Sequence, residues 1–569
     1  MTELLLHPVT PLAVGVLLLV VLPKPAGRIV MLLAPLVALA AVLNIEMGEI
    51  RTVNFLTYEL TVLRADSLAR PFAIVFTLAA FAASLYGFAT QNAGERLWAL
   101  AYAASAIGVV YAGDLLTFFV FWELKAITAT MLILARRNNL SDRAGMRYLF
   151  VHIVGGKLLL AGILMHYADT GSLAFTQMEP SIATGMILVA CLISAAMPPL
   201  HAWLADAYPQ AGIAATVFLA AYTTKAAVYA LARGFAGWEI LIYLGVFMAA
   251  YGVTYAMMEN DIRRLLSYHI VSQVGFMVTA VGVGTQLAIN GAVGHALTNI
   301  FAKGLLLMGA GAVLYATGSQ KAHLLGGLYN RMRGAFFLYL VGAAAISGFP
   351  LFSGYVSKEI VVESAYLVDL TWVVIALKIV SVGTFISAGL KLPYAAWFGD
   401  DGPGPKTNAG ARITVTKLPK TMLYGMGVLA VGNIAIGAFP QLLTDILPYA
   451  DTINVFRGYK MFETGQILLF TAAGFWLLHN YIHPKPKVSA DTDVIYRHAP
   501  AAVKAAFSAR AAAQNGARVA TQTASQQVLE WAITPFRVRT GQVPITPMWR
   551  LGGIFVFTAV AILITSIVS

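Results

Sequence analysis

The side chains of this chain that could carry chemistry are ionisable groups inside apolar segments. Glu123 and Lys125 lie in the stretch FVFWELKAIT (119–128), which otherwise has the composition of a membrane-spanning helix. A charged side chain at the centre of a bilayer costs about 2.5–3.5 kcal/mol on insertion scales, and such residues commonly mark ion or proton pathways. The stretch therefore predicts a transport function in preference to a purely structural one.

The composition requires membrane-spanning helices to position these groups. The chain has 569 residues, of which 59% are hydrophobic and only 11% charged, with a mean hydropathy of +0.75. A soluble protein carries about 25% charged residues. Since backbone groups in lipid must bond one another, long apolar runs predict helices. The predicted fold class is an all-α polytopic membrane protein.

About sixteen apolar segments are predicted to span the membrane. They are 9–22, 28–43, 71–90, 96–112, 114–135, 146–167, 183–205, 212–234, 238–258, 264–284, 288–316, 334–367, 371–398, 421–445, 463–481 and 551–568. Lysine and arginine concentrate in the loops after odd-numbered segments, which predicts cytoplasmic loops there and two external termini. The net charge of +12 is then an orientation signal and does not indicate nucleic-acid binding. The expected location is the inner (cell) membrane of a bacterium.

The segments contain an internal repeat. LLTFFVFWEL (115–124) resembles LLSYHIVSQV (265–274), KLLLAG (157–162) resembles KGLLLMG (303–309), and ISAAMP (193–198) resembles ISGFP (346–350), in order and at nearly one spacing. Each unit holds about five spans, so the second copy is inverted, as is common in transporters. In this alignment Gln273 is the counterpart of Glu123.

The repeat gives the predicted domain organisation. N-terminal helices occupy 1–95, the two repeats 96–234 and 238–398, and further helices 421–481. Residues 482–550 are basic and rich in alanine, which indicates a cytoplasmic amphipathic lateral helix, with a disordered linker as the open alternative. Residues 551–569 form the terminal span.

Further ionisable residues lie at membrane depth. They are Lys157, Lys225, Lys303, Lys358, Lys378, Lys391, His152, His201, His269, His295, Glu359 and Glu363. A lysine removed from water can exchange a proton near neutral pH, so we predict a proton path centred on the lysines deep in their spans, Lys225, Lys303 and Lys358. The full predicted path consists of Glu123, Lys157, Lys225, His295, Lys303, Lys358, Glu359 and Lys378.

Some of these groups also have ordinary structural interpretations. Lys391 is expected to extend to a membrane surface. Lys125 is expected to face away from Glu123, because residues two apart point to different sides of a helix. His152 and His269 are expected to be satisfied polar groups of the core. By contrast, His295, Asn299 and Lys303 follow a spacing of four and share one helix face.

Two spans contain helix breakers at equivalent places in the repeats. Broken helices expose carbonyls and amides, which is tolerated where they line a hydrated cavity. The predicted cavity residues are Ser194, Pro198, Pro199, His201, Gly348, Pro350 and Gly354.

Soluble-enzyme and cofactor motifs are missing from the sequence. GVG at 282–284 lies within a span, and HExxH, CxxC and phosphate-loop patterns do not occur. The single cysteine, Cys191, cannot form an internal disulfide. We therefore expect no cofactor and no metal, and any redox drive would come from partner subunits.

The pattern as a whole resembles the antiporter-like subunits shared by respiratory complex I (NADH:quinone oxidoreductase) and the Mrp-type multisubunit Na+/H+ antiporters, and the D-type subunit of the latter in particular. The resemblance covers roughly 70–400. It rests on FWELKAI, PPLHAWLADAYPQAG (198–212), TTKAAVYAL (223–231), RRLLSYHIVSQVGFM (263–277), GHALTNIFAKGLLL (294–307) and ISGFPLFSGYVSKE (346–359).

The resemblance implies about fourteen core helices in two inverted five-helix repeats, followed by a lateral helix and a terminal span. It also implies that Glu123 is the acid of the fifth span, Lys225 the lysine of the eighth, and Lys303 the bridging lysine of the eleventh. Lys358 then matches the terminal lysine after the second break. Asn299 stands where some members carry a second histidine.

One position departs from the family pattern. Members usually place a lysine just before the PLHxW segment as the partner of the glutamate, whereas Ser194 stands there in this chain. We hypothesise that Lys157 takes over as the partner of Glu123. Replacing Lys157 with alanine should then abolish transport.

Three functions follow from the resemblance. The first is the proton-translocating subunit of a multisubunit monovalent cation (Na+)/proton antiporter. The second is a proton-pumping subunit of an NADH:quinone oxidoreductase or membrane-bound hydrogenase, and the third is the membrane subunit of an inorganic-carbon uptake system. The expected partners are other membrane subunits, lipids, H+ and a monovalent cation, without nucleic acid.

Overall fold

A computed structural model describes residues 7–56, 58–399, 405–407, 410–450, 453–482 and 491–492. The chain divides into two units, Met1–Thr52 with Leu60–Ser489, and Val53–Glu59 with Ala490–Ser569. All of the helices below belong to the first unit. The predicted lateral helix or linker at 482–550 falls, except for 482 and 491–492, outside the described residues, as does the terminal span at 551–569.

The described part of the chain consists mainly of helices. They are α1 Val9–Val21, α2 Lys24–Asn44, α3 Ala69–Gly87, α4 Ala93–Tyr111, α5 Leu115–Leu134, α6 Asn139–Thr170, α7 Ile182–Ser194, α8 Ala202–Ala207, α9 Ala215–Gly234, α10 Ile240–Met258, α11 Ile262–Val283, α12 Gln286–Thr317, α13 Arg333–Ser347, α14 Ser353–Tyr366, α15 Thr371–Thr384, α16 Lys420–Ala438, α17 Gln441–Thr444 and α18 Gly458–Ile482. Eleven helices in the described part are long and apolar enough to cross a membrane. The predicted all-α polytopic fold is confirmed.

Two local elements were not predicted. The strands β1 (Ile50–Phe55) and β2 (Tyr58–Arg64) form a two-stranded sheet between α2 and α3. After α15 the chain continues as wider π-helical turns, Phe385–Lys391 and Tyr394–Phe398. Turns of this kind are rare and often occur at functional sites.

The internal repeat is visible in the helix ends. Asp114 caps α5, and its backbone forms an isolated antiparallel β-bridge with Ala174. In the same way Asp261 caps α11, and its backbone forms an isolated antiparallel β-bridge with Lys321. In addition, α6 and α12 are both 32 residues long and both end at a glycine with positive φ. Each unit of five spans thus has the same order, from α4 to α9 and from α10 to α15.

The caps also correct the register of the repeat. Counted from Asp114 and Asp261, Glu123 corresponds to Ile270. Ile270 lies one helical turn before Gln273, the counterpart that the sequence match indicated.

The two predicted helix breaks are present as the fourth span of each unit. One separates α7 from α8, and the other separates α13 from α14. Each contains a non-glycine residue with positive φ, Ala196 (63°) in the first and Leu351 (68°) in the second. This conformation is uncommon for L-residues and persists only where the surrounding structure enforces it.

Lys391, which is expected to extend to a membrane surface, reaches the end of a spanning helix. Its side chain is buried, and Nζ donates to the carbonyl oxygens of Met257 (2.7 Å) and Glu259 (3.0 Å) at the end of α10. The unpaired carbonyls of a helix C-terminus attract a cation, which accounts for this position.

The helices α10 and α11 pack closely through glycine. A Cβ atom placed on Gly275 of α11 would lie 2.5 Å from the backbone nitrogen of Ala249 in α10. Gly252 of α10 faces the backbone of α11 at Ser272 in the same way. Small residues of this kind let the backbones of membrane helices approach each other.

Replacing Gly275 with alanine should therefore force α10 and α11 apart. We expect a loss of stability of about 1–3 kcal/mol, the usual effect of overpacking, measured as a lower thermal midpoint of the detergent-solubilised protein. Gly427→Ala on α16 is the matched control, because nothing lies within 4 Å of a Cβ atom there. Equal midpoints for the two variants would contradict the close packing.

Candidate functional site

Ionisable side chains from both repeats lie buried in the interior of the helix bundle. Lys125, Lys225 and Lys303 have no exposed surface, and Lys358 is 6% exposed. They come from α5, α9, α12 and α14, in chain order. We call this set, together with Glu123 and His295, the buried seam.

Glu123 begins the seam on α5. Its carboxylate packs against α6 at Gly156, where any side chain would overlap it. One carboxylate oxygen, Oε1, is buried and has no hydrogen-bond partner among the described residues. A buried acceptor in this state needs water or a proton to satisfy it, as a transport acid would.

Lys125 lies two residues after Glu123 on α5 and interacts electrostatically with the Glu123 carboxylate. Its side chain is fully buried, and Nζ donates to Ser194 Oγ at 3.4 Å, next to the break between α7 and α8. The same amine lies 3.3 Å from the ring centroid of Trp122, a cation–π contact. The residue at the position of the missing family lysine, Ser194, thus accepts a hydrogen bond from a lysine of another helix.

Lys157 is the residue after Gly156 on α6, and its side chain is exposed. It is near enough to Glu123 for an electrostatic interaction, as Lys125 is also. Burial favours Lys125 as the main partner, because Coulomb attraction is strongest where water is excluded. We therefore hypothesise that Lys125 is the main partner of Glu123, and Lys157 stays the alternative partner.

A cluster of hydroxyl groups surrounds Thr223, which lies two residues before Lys225 on α9. Thr223 Oγ1 bonds the hydroxyls of both Tyr102 and Tyr148, the latter at 3.0 Å. The ring of His152 stacks on Tyr148 at 4.0 Å, and its Nδ1 donates to the Tyr148 carbonyl, leaving Nε2 with no partner among the described residues. His152 is therefore buried, as expected, but only half satisfied.

The centre of the seam consists of two lysines. Lys225 Nζ donates to the carbonyl of Ala220 (3.1 Å) and to Thr224 Oγ1 (3.4 Å). Lys303 Nζ has no hydrogen-bond partner among the described residues, and neither has the amide of Asn299 one turn earlier. Lys303 interacts electrostatically with both Lys225 and Lys358, so a charge on one of these amines disfavours a charge on its neighbours.

His295 connects the centre to α14. Its Nδ1 lies 3.0 Å from Ser357 Oγ, and its Nε2 lies 3.2 Å from Gln273 Oε1. Ser357 also bonds Thr298 Oγ1 at 2.7 Å. Since an amide oxygen only accepts, Nε2 donates to Gln273, whereas the Ser357 hydroxyl on the other side can accept or donate.

Lys358 ends the seam at the second break. Its Nζ donates to the Ile346 carbonyl at 2.6 Å, an acceptor that the end of α13 leaves unpaired. Gly348 adopts φ 82° in this break, and its Cβ position lies 3.7 Å from the Lys358 side chain. A cavity of about 60 Å³ adjoins Lys358 and is also lined by Glu359 and Lys378.

The remaining predicted cavity residues lie at the breaks. His201 is buried against Tyr251, with 4.8 Å between ring centroids, and Pro198 and Pro199 precede it in the first break. Pro350 lies in the second break, and Gly354 packs so closely on the Ala345 carbonyl that no side chain would fit. These residues shape the breaks and are not members of the seam.

Sequence reasoning missed several polar partners. Ser357, Thr298, Gln273, Tyr102, Tyr148 and Thr223 are common residue types that carry no motif. The available signal was their spacing: Thr298 lies between His295 and Asn299, and Thr223 lies two residues before Lys225. Groups of three or more potential metal ligands do not occur in the described part of the chain.

The fold and the buried seam define a class of polytopic membrane protein with ionisable groups at membrane depth. Residues 112–387 match the family model described as NADH:quinone oxidoreductase/Mrp antiporter, transmembrane. The chain belongs to this family.

Relatives of the chain come from several kinds of complex. It is 31% identical over 373 residues to an uncharacterised protein of Methanocaldococcus jannaschii, covering 62% of this chain and 76% of that protein. It is 28% identical over 409 residues to hydrogenase-4 component B of Escherichia coli, covering 65% and 61%. It is 31% identical over 339 residues to the D-type subunit of the Na+/H+ antiporter of Alkalihalophilus pseudofirmus, covering 55% and 67%.

A chain in the structure of the Mrp complex from Dietzia sp. has a similar fold. The TM-score is 0.70 at 22% identity, and the match covers 82% of this chain and 100% of that chain. This likeness agrees with the arrangement of helices described above.

Lys125 and Lys157 can be separated by substitution. We expect Lys125→Met to slow ion transport on the order of 10²-fold, as loss of a proton-exchanging group does, because Glu123 then loses its buried partner. Lys157→Met should retain most of the activity, since that side chain is exposed. Proton uptake by vesicles containing the assembled complex measures both, and the reverse ranking would support the Lys157 hypothesis.

Two adjacent glycines test the position of the Glu123 carboxylate. Gly156→Ala should displace it, and small displacements at a reacting group can cost on the order of 10²-fold in rate. Gly155→Ala is the control, because its Cβ would lie 3.5 Å from Ile193, an ordinary contact. If both variants transport at the wild-type rate, the packing of Glu123 on α6 has no functional importance.

Proposed function

We propose that this chain is the proton-translocating subunit of a multisubunit monovalent cation/proton antiporter. The observation that carries the proposal is the buried seam, in which lysines from both repeats share the interior with Glu123 and His295. Isolated structural lysines would not need to lie in electrostatic range of one another. The similarity to the D-type subunit of an Na+/H+ antiporter supports Na+ as the exchanged cation.

The seam suggests how charge moves. A proton or cation that arrives at Glu123 changes its attraction for Lys125. The change favours a proton shift at Lys225, then at Lys303 and His295, and finally at Lys358, because coupled groups titrate together. The driving force is the proton gradient, to which the membrane potential contributes about 2.3 kcal/mol per charge for each 100 mV.

The conformation of each break supports an entry or exit for water. Lys125 and Lys358 lie beside the two breaks, at opposite ends of the seam. Backbone that leaves the helix at membrane depth is tolerated where it lines a hydrated path. In the proposed mechanism the two repeats thus open half-channels to opposite faces, with cytoplasmic loops after odd-numbered spans.

The partners in this proposal are further membrane subunits. A chain of similar fold occurs in an Mrp complex, and the seam holds no group that could oxidise or reduce a substrate. The amphipathic segment at 482–550 and the terminal span at 551–569 are proposed to contact these neighbours.

The second candidate is the proton-pumping membrane subunit of a redox complex. It is favoured by the similarity to hydrogenase-4 component B and by the family description, which names NADH:quinone oxidoreductase. In such a complex the buried seam would carry protons in the same way, and the redox subunits would supply the driving force. Neighbouring genes for iron–sulfur or flavin subunits would support this candidate. Neighbouring genes for small antiporter subunits would support the first candidate, and a gene for a zinc-dependent soluble partner would support the carbon-uptake alternative.

Cation/proton exchange in vesicles that contain the whole operon tests the proposal. We expect Na+ or K+ to dissipate an imposed proton gradient, and we expect Glu123→Ala and Lys358→Ala to slow the exchange by on the order of 10²-fold or more. Glu239→Ala and Lys417→Ala are controls of the same chemistry at exposed positions. A wild-type complex that pumps protons only with a redox substrate would replace the antiporter proposal with the second candidate.

A further inference from the structure

The cavity beside Lys358 is also lined by the charged side chains of Glu359 and Lys378. Its volume of about 60 Å³ has room for several water molecules. Ser347, Lys358 and Glu359 line it from α13 and α14, Lys378 and Ser381 from α15, and Thr464 from α18. Ser347 Oγ is buried without a hydrogen-bond partner among the described residues, so the cavity offers polar groups that water can bond.

Acidic and basic side chains alternate around and beyond this cavity. Lys460 Nζ lies 2.7 Å from Glu363 Oε2 and 3.6 Å from Glu359 Oε2. On the α15 side, Lys378 forms an ion pair with Glu463. Glu359 is in electrostatic range of all of these groups. Arg457 adds a further contact, with Nη1 lying 3.0 Å from Glu363 Oε1.

The side chains of this cluster differ in exposure. Glu359 and Lys460 are each 14% exposed, whereas Lys378 is 32% and Glu463 44% exposed. Glu363 lies in the last turn of α14, and Lys460 and Glu463 lie in the first two turns of α18, so the cluster extends from the cavity towards these helix ends. The Lys378–Glu463 pair is the outermost member that also borders the cavity through Lys378.

Half of this cluster lies outside the part of the chain that the family model matches. The match ends at residue 387, whereas Arg457, Lys460 and Glu463 belong to α18 and the residue before it. The ion pairs that link α18 and the residue before it to α14 and α15 therefore cannot be inferred from the family resemblance.

We propose that α14, α15 and α18 enclose the outer half-channel of the seam, with Glu359 as the first proton acceptor after Lys358 and the Lys378–Glu463 pair as the gate. The inference rests on the proposed function, since it needs a proton to reach Lys358. The step is a simple transfer: an N–H bond of the Lys358 ammonium breaks, cavity water relays the proton, and an O–H bond forms on Glu359. Separation of the Lys378–Glu463 pair then opens the cavity to the aqueous face.

Thiol labelling of the cavity tests the gate without measuring transport. Ser381→Cys places a thiol in the cavity wall, in a Cys191→Ser background, since Cys191 is the only cysteine of the chain and is buried. We expect Lys378→Gln and Glu463→Gln, each in the assembled complex, to speed labelling by a membrane-impermeant thiol reagent roughly two- to fivefold, the effect of losing a half-exposed ion pair.

The exchanged pair Lys378→Glu with Glu463→Lys is the decisive variant. The two charges change places but still attract each other, so labelling should return to the rate of the Ser381→Cys parent. Lys321→Gln is the control, because it removes a half-exposed lysine from an ion pair with Asp261 on another part of the fold. If both single variants label at the control rate, or if the exchanged pair labels as fast as they do, the gate is overturned.

Glu359 is tested separately from the gate. Glu359→Gln should slow cation/proton exchange about tenfold or more, as loss of a proton acceptor does, while labelling of Ser381→Cys stays at the parent rate. Wild-type exchange by the Glu359→Gln complex would remove Glu359 from the path. A wild-type complex without cation/proton exchange but with the expected labelling pattern would contradict the proposed function and leave the gate standing.

Discussion

A buried amine loses its hydrogen bonds to water, and the broken helices provide acceptors for the amines at the two ends of the seam. Lys358 bonds the Ile346 carbonyl at the end of α13, and Lys125 bonds Ser194 at the end of α7. An unsatisfied buried ammonium would be strongly disfavoured. The breaks therefore determine where the seam can begin and end, and the spacing of the two repeats determines the separation of these points.

The central lysines depend on a different environment. Lys225 lies in α9, a helix whose membrane-spanning window is entirely buried, and its amine has one carbonyl and one hydroxyl as partners. Tyr222, one turn earlier, packs edge-on against Phe76 and Tyr102. Rigid aromatic packing of this kind holds the helices at fixed distances. Small changes in protonation can then act on neighbouring amines through charge alone, without a large movement of the backbone.

The sequence was sufficient for the helices and the breaks, because both leave a strong local pattern. Apolar runs of membrane length and paired breakers at Pro198 and Gly348 needed no tertiary information. The buried position of Lys125 could not be found in this way. Residues two apart point to different sides of a helix, but a lysine has four methylenes, and its amine can turn back to a neighbouring helix. The direction that Lys125 takes depends on Ser194 and Trp122, which the fold brings together.

The repeat register had a similar limit: short matches of apolar residues tolerate a shift of one turn, whereas the caps at Asp114 and Asp261 do not.

The two ends of the seam differ in the acid that they present. At the α5 end the acid is Glu123, held against the backbone of α6 and beside a fully buried lysine. At the α14 end Lys358 has no acid on the facing helix α11, where Gln273 bonds His295 instead; the acids lie further out, with Glu359 next in the same helix. A positive charge at Lys358 is therefore stabilised by a carbonyl inside and by carboxylates only towards the outer face. Coulomb attraction falls with distance, so Glu359, the nearest of these carboxylates in the same helix, contributes most to that stabilisation. The two ends of the seam therefore differ in their electrostatic environment, even though its two halves derive from one repeated unit.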